Sequence, residues 1–261
     1  MKIPRKLKNR LQMLLMLGTF LLGVRAVSGP VQPIQQRESI PLTPKTVYLT
    51  FDDGPSRNTE AILKVLEEEG VQATFFVTLR DREEFPEAYR EITDRGHTLA
   101  LHCSDHDYER LYRSSGAYLA DLSHLTEELD KMGVPYEKLV RLPGGSLNGL
   151  ASPRTLESIV HRLLADGYSC FDWNVTSGDD GEDGSPLPVP AEEIAEQVAR
   201  RSEGMLTPVV LLHDSYPFST TPEATRQIIH AFREKGYSFD VLTAESQPIL
   251  FHDLWEGLTR R

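Results

Sequence analysis

The chain has 261 residues, of which 39% are hydrophobic, 26% charged and 8% aromatic, enough apolar material for one core of ordinary size and unlike a disordered or collagen-like chain. Lys and Arg number 28 against 39 Asp and Glu; the resulting net charge of −11 repels phosphate backbones and excludes nucleic acid as the main partner. Cys103 and Cys170 are too few for a disulfide framework and read as two buried thiols, so the core must hold itself together.

In chain order, residues 1–28 come first, with six basic residues and no acid. A basic stretch leads into the apolar run Leu11 to Val24 and then the small residues Ala26-Val27-Ser28, the pattern of a secretory signal. That run spans about 21 Å as a helix, short of the ~30 Å hydrocarbon core, which favours cleavage over retention as a signal anchor. A secreted or extracytoplasmic protein is expected, touching the membrane only if this segment stays attached. Residues 29–44, rich in Pro, Gln, Ser and Thr without an apolar period, read as a linker. A folded domain is expected over 45–250, followed by a tail over 251–261.

Within that domain strand-like and helical runs alternate. Strands are predicted over 46–51, 73–77 and 97–101, with helices over 59–69, 86–95 and 116–131 following them. Strands 139–141, 168–173 and 208–212 precede helices 153–166, 191–201 and 222–235, and a strand over 238–242 ends the series. Such repeated units describe an α/β fold with a parallel sheet, either a barrel or an open doubly wound sheet. The segment 178–190, rich in Gly, Pro and acid, reads as a surface loop that includes Asp179 and Asp180.

Parallel α/β folds place their sites at the carboxyl ends of the strands, and five polar clusters fall there. The first is Thr50-Phe51-Asp52-Asp53-Gly54-Pro55. Neighbours in a regular strand face opposite ways, so the two carboxylates address one spot only if the Gly-Pro turn releases that constraint; one could then bind a metal while the other takes a proton. A solvated Asx turn is the plainer alternative. The second, His102-Cys103-Ser104-Asp105-His106, spaces two imidazoles by four residues, which on a helix would put both on one face and within reach of one ion. The third, Arg141-Leu142-Pro143-Gly144-Gly145-Ser146, offers a guanidinium that can hold a carboxylate and glycines that let backbone N–H groups approach a ligand. In the fourth, Phe171-Asp172-Trp173-Asn174-Val175, Asp172 could orient a histidine or arginine, and Trp173 could wall a sugar site or pack in the core. The fifth, Val209 to Asp214, delivers His213 at the end of a buried strand, where an imidazole suits proton transfer. His97, His124, His161, His230 and His252 read as structural.

Taken together and in this order, the five clusters resemble the motifs of the polysaccharide deacetylase family, the NodB-homology domain of carbohydrate esterase family 4, over about residues 45–245. The resemblance implies a distorted, incomplete (β/α) barrel with a divalent metal, zinc foremost, held by Asp53, His102 and His106. It implies Asp52 as general base, Arg141 orienting it, and a backbone N–H after Pro143, at Gly144, for the oxyanion. Asp172 would be a supporting carboxylate, Trp173 a pocket wall, Leu211 a lining of the acetyl-methyl pocket and His213 the general acid. The implied activity is removal of acetyl groups from N-acetylglucosamine units of an acetylated cell-wall polysaccharide, peptidoglycan foremost, with chitin oligomers and O-acetylated xylan as neighbouring substrates. Two departures stand out: Leu142 and Gly144-Gly145 replace a second proline and an aromatic common in the third motif, and Cys103 replaces the usual Ser or Thr between the histidines. Two other readings compete. A non-catalytic carbohydrate-binding module would need neither base nor acid. A glycosidase using Asp52 and Asp53 would turn over without metal.

Overall fold

The computed structural model describes residues 40–181 and 187–251. The signal segment, most of the linker, and the tail beyond Phe251, including His252, lie outside the described residues. Among the described residues no helix is long and apolar enough to cross a membrane.

Eight strands form one parallel sheet: β1 (Thr46–Asp52), β2 (Thr74–Val77), β3 (Thr98–Leu101), β4 (Leu139–Val140), β5 (Ser169–Cys170), β6 (Val175–Thr176), β7 (Val209–His213) and β8 (Ser238–Asp240). The helices are α1 (Arg57–Glu69), α2 (Ala88–Asp94), α3 (Tyr108–Leu111), α4 (Ser115–Met132), α5 (Pro153–Ala165), α6 (Ala191–Arg201) and α7 (Thr221–Glu234). The strand order is β5-β4-β3-β2-β1-β7-β6. Tyr48 pairs with both Val209 and Asp240, so β8 lies on the edge of β1 opposite β7, below the part of that edge taken by β2.

This connectivity forces the sheet to curl. The two end strands, β5 and β6, are joined by Phe171 to Asn174 alone, and the five Cα steps from Cys170 to Val175 reach at most about 19 Å. Seven strands laid flat at ~4.8 Å spacing would hold their edges about 29 Å apart. The edges therefore converge, and the sheet is an incomplete barrel rather than an open one. The expected strand over 168–173 is corrected accordingly: only Ser169 and Cys170 pair with β4, Asp172 and Trp173 lie in the crossing, and Val175 and Thr176 join the far edge beside β7.

Alternation along the strands sorts the side chains into two cores. Val47, Leu49 and Phe51, with Phe75, Val77, Leu99, Leu101, Val210 and Leu212, face the helices. Tyr48, Phe76, Ala100, Leu139 and Val209 point the other way and fill the barrel interior. Helix α1 shows why the outer layer forms where it does. Ser56 caps it reciprocally with Thr59, Ile62, Leu63 and Leu66 are buried on one face, and Gly70 ends it in a left-handed turn at φ 60°. The short α3 was not anticipated. Pairing starts before Lys45, for Ile40 N–H donates to the Glu245 carbonyl and Gln247 N–H to that of Ile40.

Candidate active site

The alternation that gives the barrel its interior also builds the site. Continuing upward from Tyr48, the inward positions of β1 are Thr50 and Asp52; on β7 they are Leu211 and His213 above Val209; the same parity places His102 above Ala100 and Arg141 above Leu139. Asp52 and His213 are direct register partners on adjacent strands. Four of the five clusters thus meet at one end because the sheet is parallel and each strand stops at the same height.

Asp53 reaches the same place by breaking the pattern. Its φ of 78° is left-handed, rare for a side-chain-bearing residue, and turns the chain so that adjacent carboxylates need not face opposite ways. The turn is clamped from two sides. Thr78 Oγ1 donates to the Asp53 carbonyl at 3.1 Å, and Gly54 N–H donates to Asp214 Oδ1 at 2.8 Å. Thr59 Oγ1 donates to the other Asp214 oxygen at 2.6 Å. A Cβ on Gly54 would lie 2.0 Å from that carboxylate, so the glycine is required by close approach. Burial raises the Asp214 carboxyl to about 7, with its two donors opposing and the charges of Asp53 and Asp52 adding to the rise.

Asp53, His102 and His106 offer ligand atoms that all lie within 4.8 Å of one another. His102 Nε2 is 3.3 Å and His106 Nε2 3.1 Å from Asp53 Oδ1. The two histidines do not share a helical face, which corrects that expectation. His102 follows β3, His106 sits in a left-handed turn at φ 60°, and α3 begins only at Tyr108. The spacing works because the loop doubles back. It is held by Ser104, whose N–H donates to Asp121 and whose hydroxyl binds the same carboxylate. His102 Nδ1–H donates to the Arg141 carbonyl at 2.7 Å, which leaves Nε2 turned toward Asp53.

These residues fit a divalent cation. Asp53 Oδ1 is buried and makes no hydrogen bond despite two imidazole nitrogens nearby, a costly arrangement that a cation relieves. Two imidazoles and a carboxylate are also a common donor set for zinc. Burial alone would raise the Asp53 carboxyl, but the adjacent His102 and His106 outweigh it and hold it well below the usual carboxylate range.

Asp52 is held by Arg141, whose side chain is fully buried. Its Nη1 donates to Asp52 Oδ1 at 2.8 Å and to Thr50 Oγ1 at 2.7 Å, Nη2 to the Asp172 carbonyl at 2.9 Å, and Nε to the Phe171 carbonyl at 3.2 Å. The guanidinium lies 4.1 Å over the Phe76 ring. The expected role of Asp172 needs correction. Its backbone carbonyl supports Arg141, but its carboxylate orients neither a histidine nor an arginine; it accepts from Ser146 N–H and Phe251 N–H at 2.8 Å each.

The carboxylate that orients His213 is Asp179, which sequence reasoning assigned to the acidic loop. Asp179 is 1% exposed, and its Oδ1 accepts from His213 Nδ1 at 2.8 Å and from Ser177 Oγ at 3.0 Å. Its Oδ2 accepts from His213 N–H and Thr221 Oγ1, each at 2.8 Å. Burial alone would lower the His213 pKa; the charge and hydrogen bond of Asp179 outweigh it and raise the imidazolium well above its usual range. The signal was present in Ser177-Gly178-Asp179, a carboxylate just past a strand. It was hidden because β6 is only two residues long. Asp214, at the end of the fifth cluster, has a different cause of concealment: it directly follows the conspicuous His213.

Pro143, Gly144, Trp173 and Leu211 fall around these groups. The Pro143 carbonyl accepts from Tyr112 Oη at 2.6 Å, so the Gly144 N–H of the same planar peptide points the opposite way. Leu211 is buried below His213, and Trp173 is half-buried with its ring 5.6 Å from the Arg141 guanidinium. Away from this end, His97 is structural: Ala73 N–H donates to its Nδ1 at 3.2 Å, and its ring packs edge-on to Phe75. His124 and His161 lie within α4 and α5, and His230 on α7 pairs with Glu69.

The family model described as polysaccharide deacetylase matches residues 39–158. A peptidoglycan-N-acetylglucosamine deacetylase of Bacillus cereus is 31% identical over 80% of this chain and 74% of its own length. Among solved structures, the catalytic domain of a peptidoglycan N-acetylglucosamine deacetylase from Eubacterium rectale superposes with a TM-score of 0.76 at 33% identity, covering 84% of this chain and 98% of that one. A polysaccharide deacetylase from Bacillus cereus gives a TM-score of 0.68 at 30% identity, covering 80% and 98%.

Proposed function

The chain belongs to the polysaccharide deacetylase family, and from that premise we propose that it is a metal-dependent hydrolase removing acetyl groups from N-acetylglucosamine units of a cell-wall polysaccharide, peptidoglycan foremost. The observation that carries the reading is the buried Asp53 oxygen, without a hydrogen bond and flanked by two imidazole nitrogens, beside the register pair Asp52 and His213. Asp53, His102 and His106 would hold the cation, zinc foremost, which when bound polarises an acetyl carbonyl and acidifies water.

The chain's own residues supply the proton transfers and the positioning. Asp52, held in position by Arg141, takes the proton of the attacking water. The Gly144 N–H stabilises the oxyanion that develops on the acetyl oxygen. His213, charged because Asp179 lies against it, gives its proton to the nitrogen as the C–N bond breaks, so that acetate and a free amine leave. Leu211 lines the space for the acetyl methyl and Trp173 faces the sugar. Tyr108, Leu147, Leu150 and Tyr216 are exposed on segments that follow β3, β4 and β7, an apolar rim suited to the C–H faces of a glycan.

The N-terminal basic and apolar segment supports a position outside the cytoplasm, tested by sequencing the amino terminus of the exported protein. For the activity, the test is acetate release from N-acetylated wall fragments after dialysis against a chelator and after zinc addition. Loss and recovery are expected. Acetate from O-acetylated xylan alone would overturn the substrate, sustained turnover without metal the mechanism, and absence of acetate under every condition would favour a binding module.

A further inference from the structure

The glycines at 144 and 145 leave no side chain on one flank of the site, yet that flank is filled. The segment leading to Phe251 folds back across it. Asp172 N–H donates to the Ile249 carbonyl at 2.7 Å, and Phe251 N–H donates to Asp172 Oδ2 at 2.8 Å and to Ser146 Oγ at 3.3 Å. Ser146 is itself held by the same carboxylate through its N–H and hydroxyl. The buried Asp172 carboxylate therefore serves as the post to which a segment from the far end of the domain is tied.

What the tie positions is the Phe251 ring. A Cβ built on Gly145 would come within 2.4 Å of Phe251 Cε2 and 3.2 Å of Trp173 Cη2, so the phenyl ring takes the space that a side chain at 145 would need. Gly145 has φ 85°, which independently favours glycine. The Phe251 and Trp173 rings meet edge to face at 83° with centroids 5.1 Å apart, and both remain half-buried, with surface left over. Trp173 in turn lies beside Arg141, which holds Asp52. An aromatic corner is thus continuous with the proton-handling end of the site.

We infer that Phe251 is a specificity-determining residue whose ring, set against Trp173 by the Asp172 tie, packs on the C–H face of a pyranose ring next to the acetyl group being removed. The inference rests on the deacetylase reading above and adds to it a wall supplied by the end of the domain. Two aromatic rings meeting at a corner suit the C–H face of a sugar ring better than a peptide or a phosphate.

The test is binding and turnover of N-acetylglucosamine oligomers by the full chain, with tryptophan fluorescence reporting occupancy beside Trp173. Phe251→Ala is expected to raise Kd and KM on the order of 10-fold, with kcat falling by less, whereas Phe251→Tyr keeps the wild-type values. Gly145→Ala, which displaces the ring, should weaken binding similarly, and its effect should shrink in the Phe251→Ala background because the two act on one contact. Circular dichroism and the melting temperature show whether each variant is folded. A folded Phe251→Ala protein with unchanged Kd and KM overturns the inference while leaving the deacetylase reading intact. A wild-type protein that binds the oligomers through Phe251 but releases no acetate supports the wall and refutes the deacetylase.

Discussion

Replacing Asp179 by asparagine removes one charge from the site while keeping its volume, and the surrounding hydrogen bonds decide how the new amide sits. Asp179 Oδ2 accepts from the backbone N–H of His213 and from Thr221, so the asparagine oxygen must take that position. The amide NH2 then faces His213 Nδ1, where the carboxylate Oδ1 now accepts at 2.8 Å. A donor meeting Nδ1 selects the neutral ring with its proton on Nε2 and opposes the imidazolium. The charge and hydrogen bond that hold the wild-type imidazolium well above the usual range are both lost, while burial, which lowers it, remains. At neutral pH the protonated acid becomes scarce. The expected loss in kcat is about 10²- to 10⁴-fold, the usual worth of a positioned general acid, with KM little changed and with activity recovering toward lower pH. Stability should respond with a definite sign. A folded-state pKa raised above the unfolded value near 6.5 contributes stability below that pH and loses it as pH rises through the folded value, so the variant should lose most stability at acid to neutral pH and resemble the wild type in strong alkali. Steady-state kinetics across pH, with zinc content measured in parallel, check this. A variant that binds zinc and keeps activity within about 3-fold with an unmoved pH profile would refute the reasoning.

Arg141→Met should destabilise by about 3–5 kcal/mol, because Asp52 loses its buried partner and three further acceptors lose their donor; at this chain length that corresponds to roughly 6–20 °C in melting temperature. A loss under 1 kcal/mol in urea unfolding would contradict the burial argument. Gly54→Ala places a methyl 2.0 Å from the Asp214 carboxylate and should cost about 2 kcal/mol or more together with zinc affinity, read by unfolding and metal titration. Burial lowers His97 from 6.5 to about 4, and protonating it would break the Ala73 hydrogen bond. The wild type should therefore lose up to about 3 kcal/mol as pH falls from 6.5 through 4, while His97→Asn, which keeps an acceptor but does not titrate, should show a shallower acid limb in urea melts at pH 7 and 4.5.

The alternating strand and helix units, the parallel direction of the sheet, and six of the groups that meet in the site, Asp52, Asp53, His102, His106, Arg141 and His213, were legible from the amino-acid order alone. Residues such as Asp52, His102 and His213 were legible because each ends an apolar strand, and a parallel sheet brings all such ends to one side. Asp53 and the two histidines come together through left-handed turns at Asp53 and His106, not through the helical face expected for the histidine pair. Backbone handedness at a single residue leaves almost no trace in composition or period. The roles of Asp172 and Asp179 were settled only by tertiary structure. A short crossing between the sheet's two edges carries the chain past Asp172, which ends tied to Ser146 and Phe251, and a two-residue strand then sets Asp179 under His213. Periodicity reports which face a residue takes within its own element. Which distant carboxylate satisfies a buried imidazole depends on the curvature of the whole sheet, and that is a property of all eight strands together.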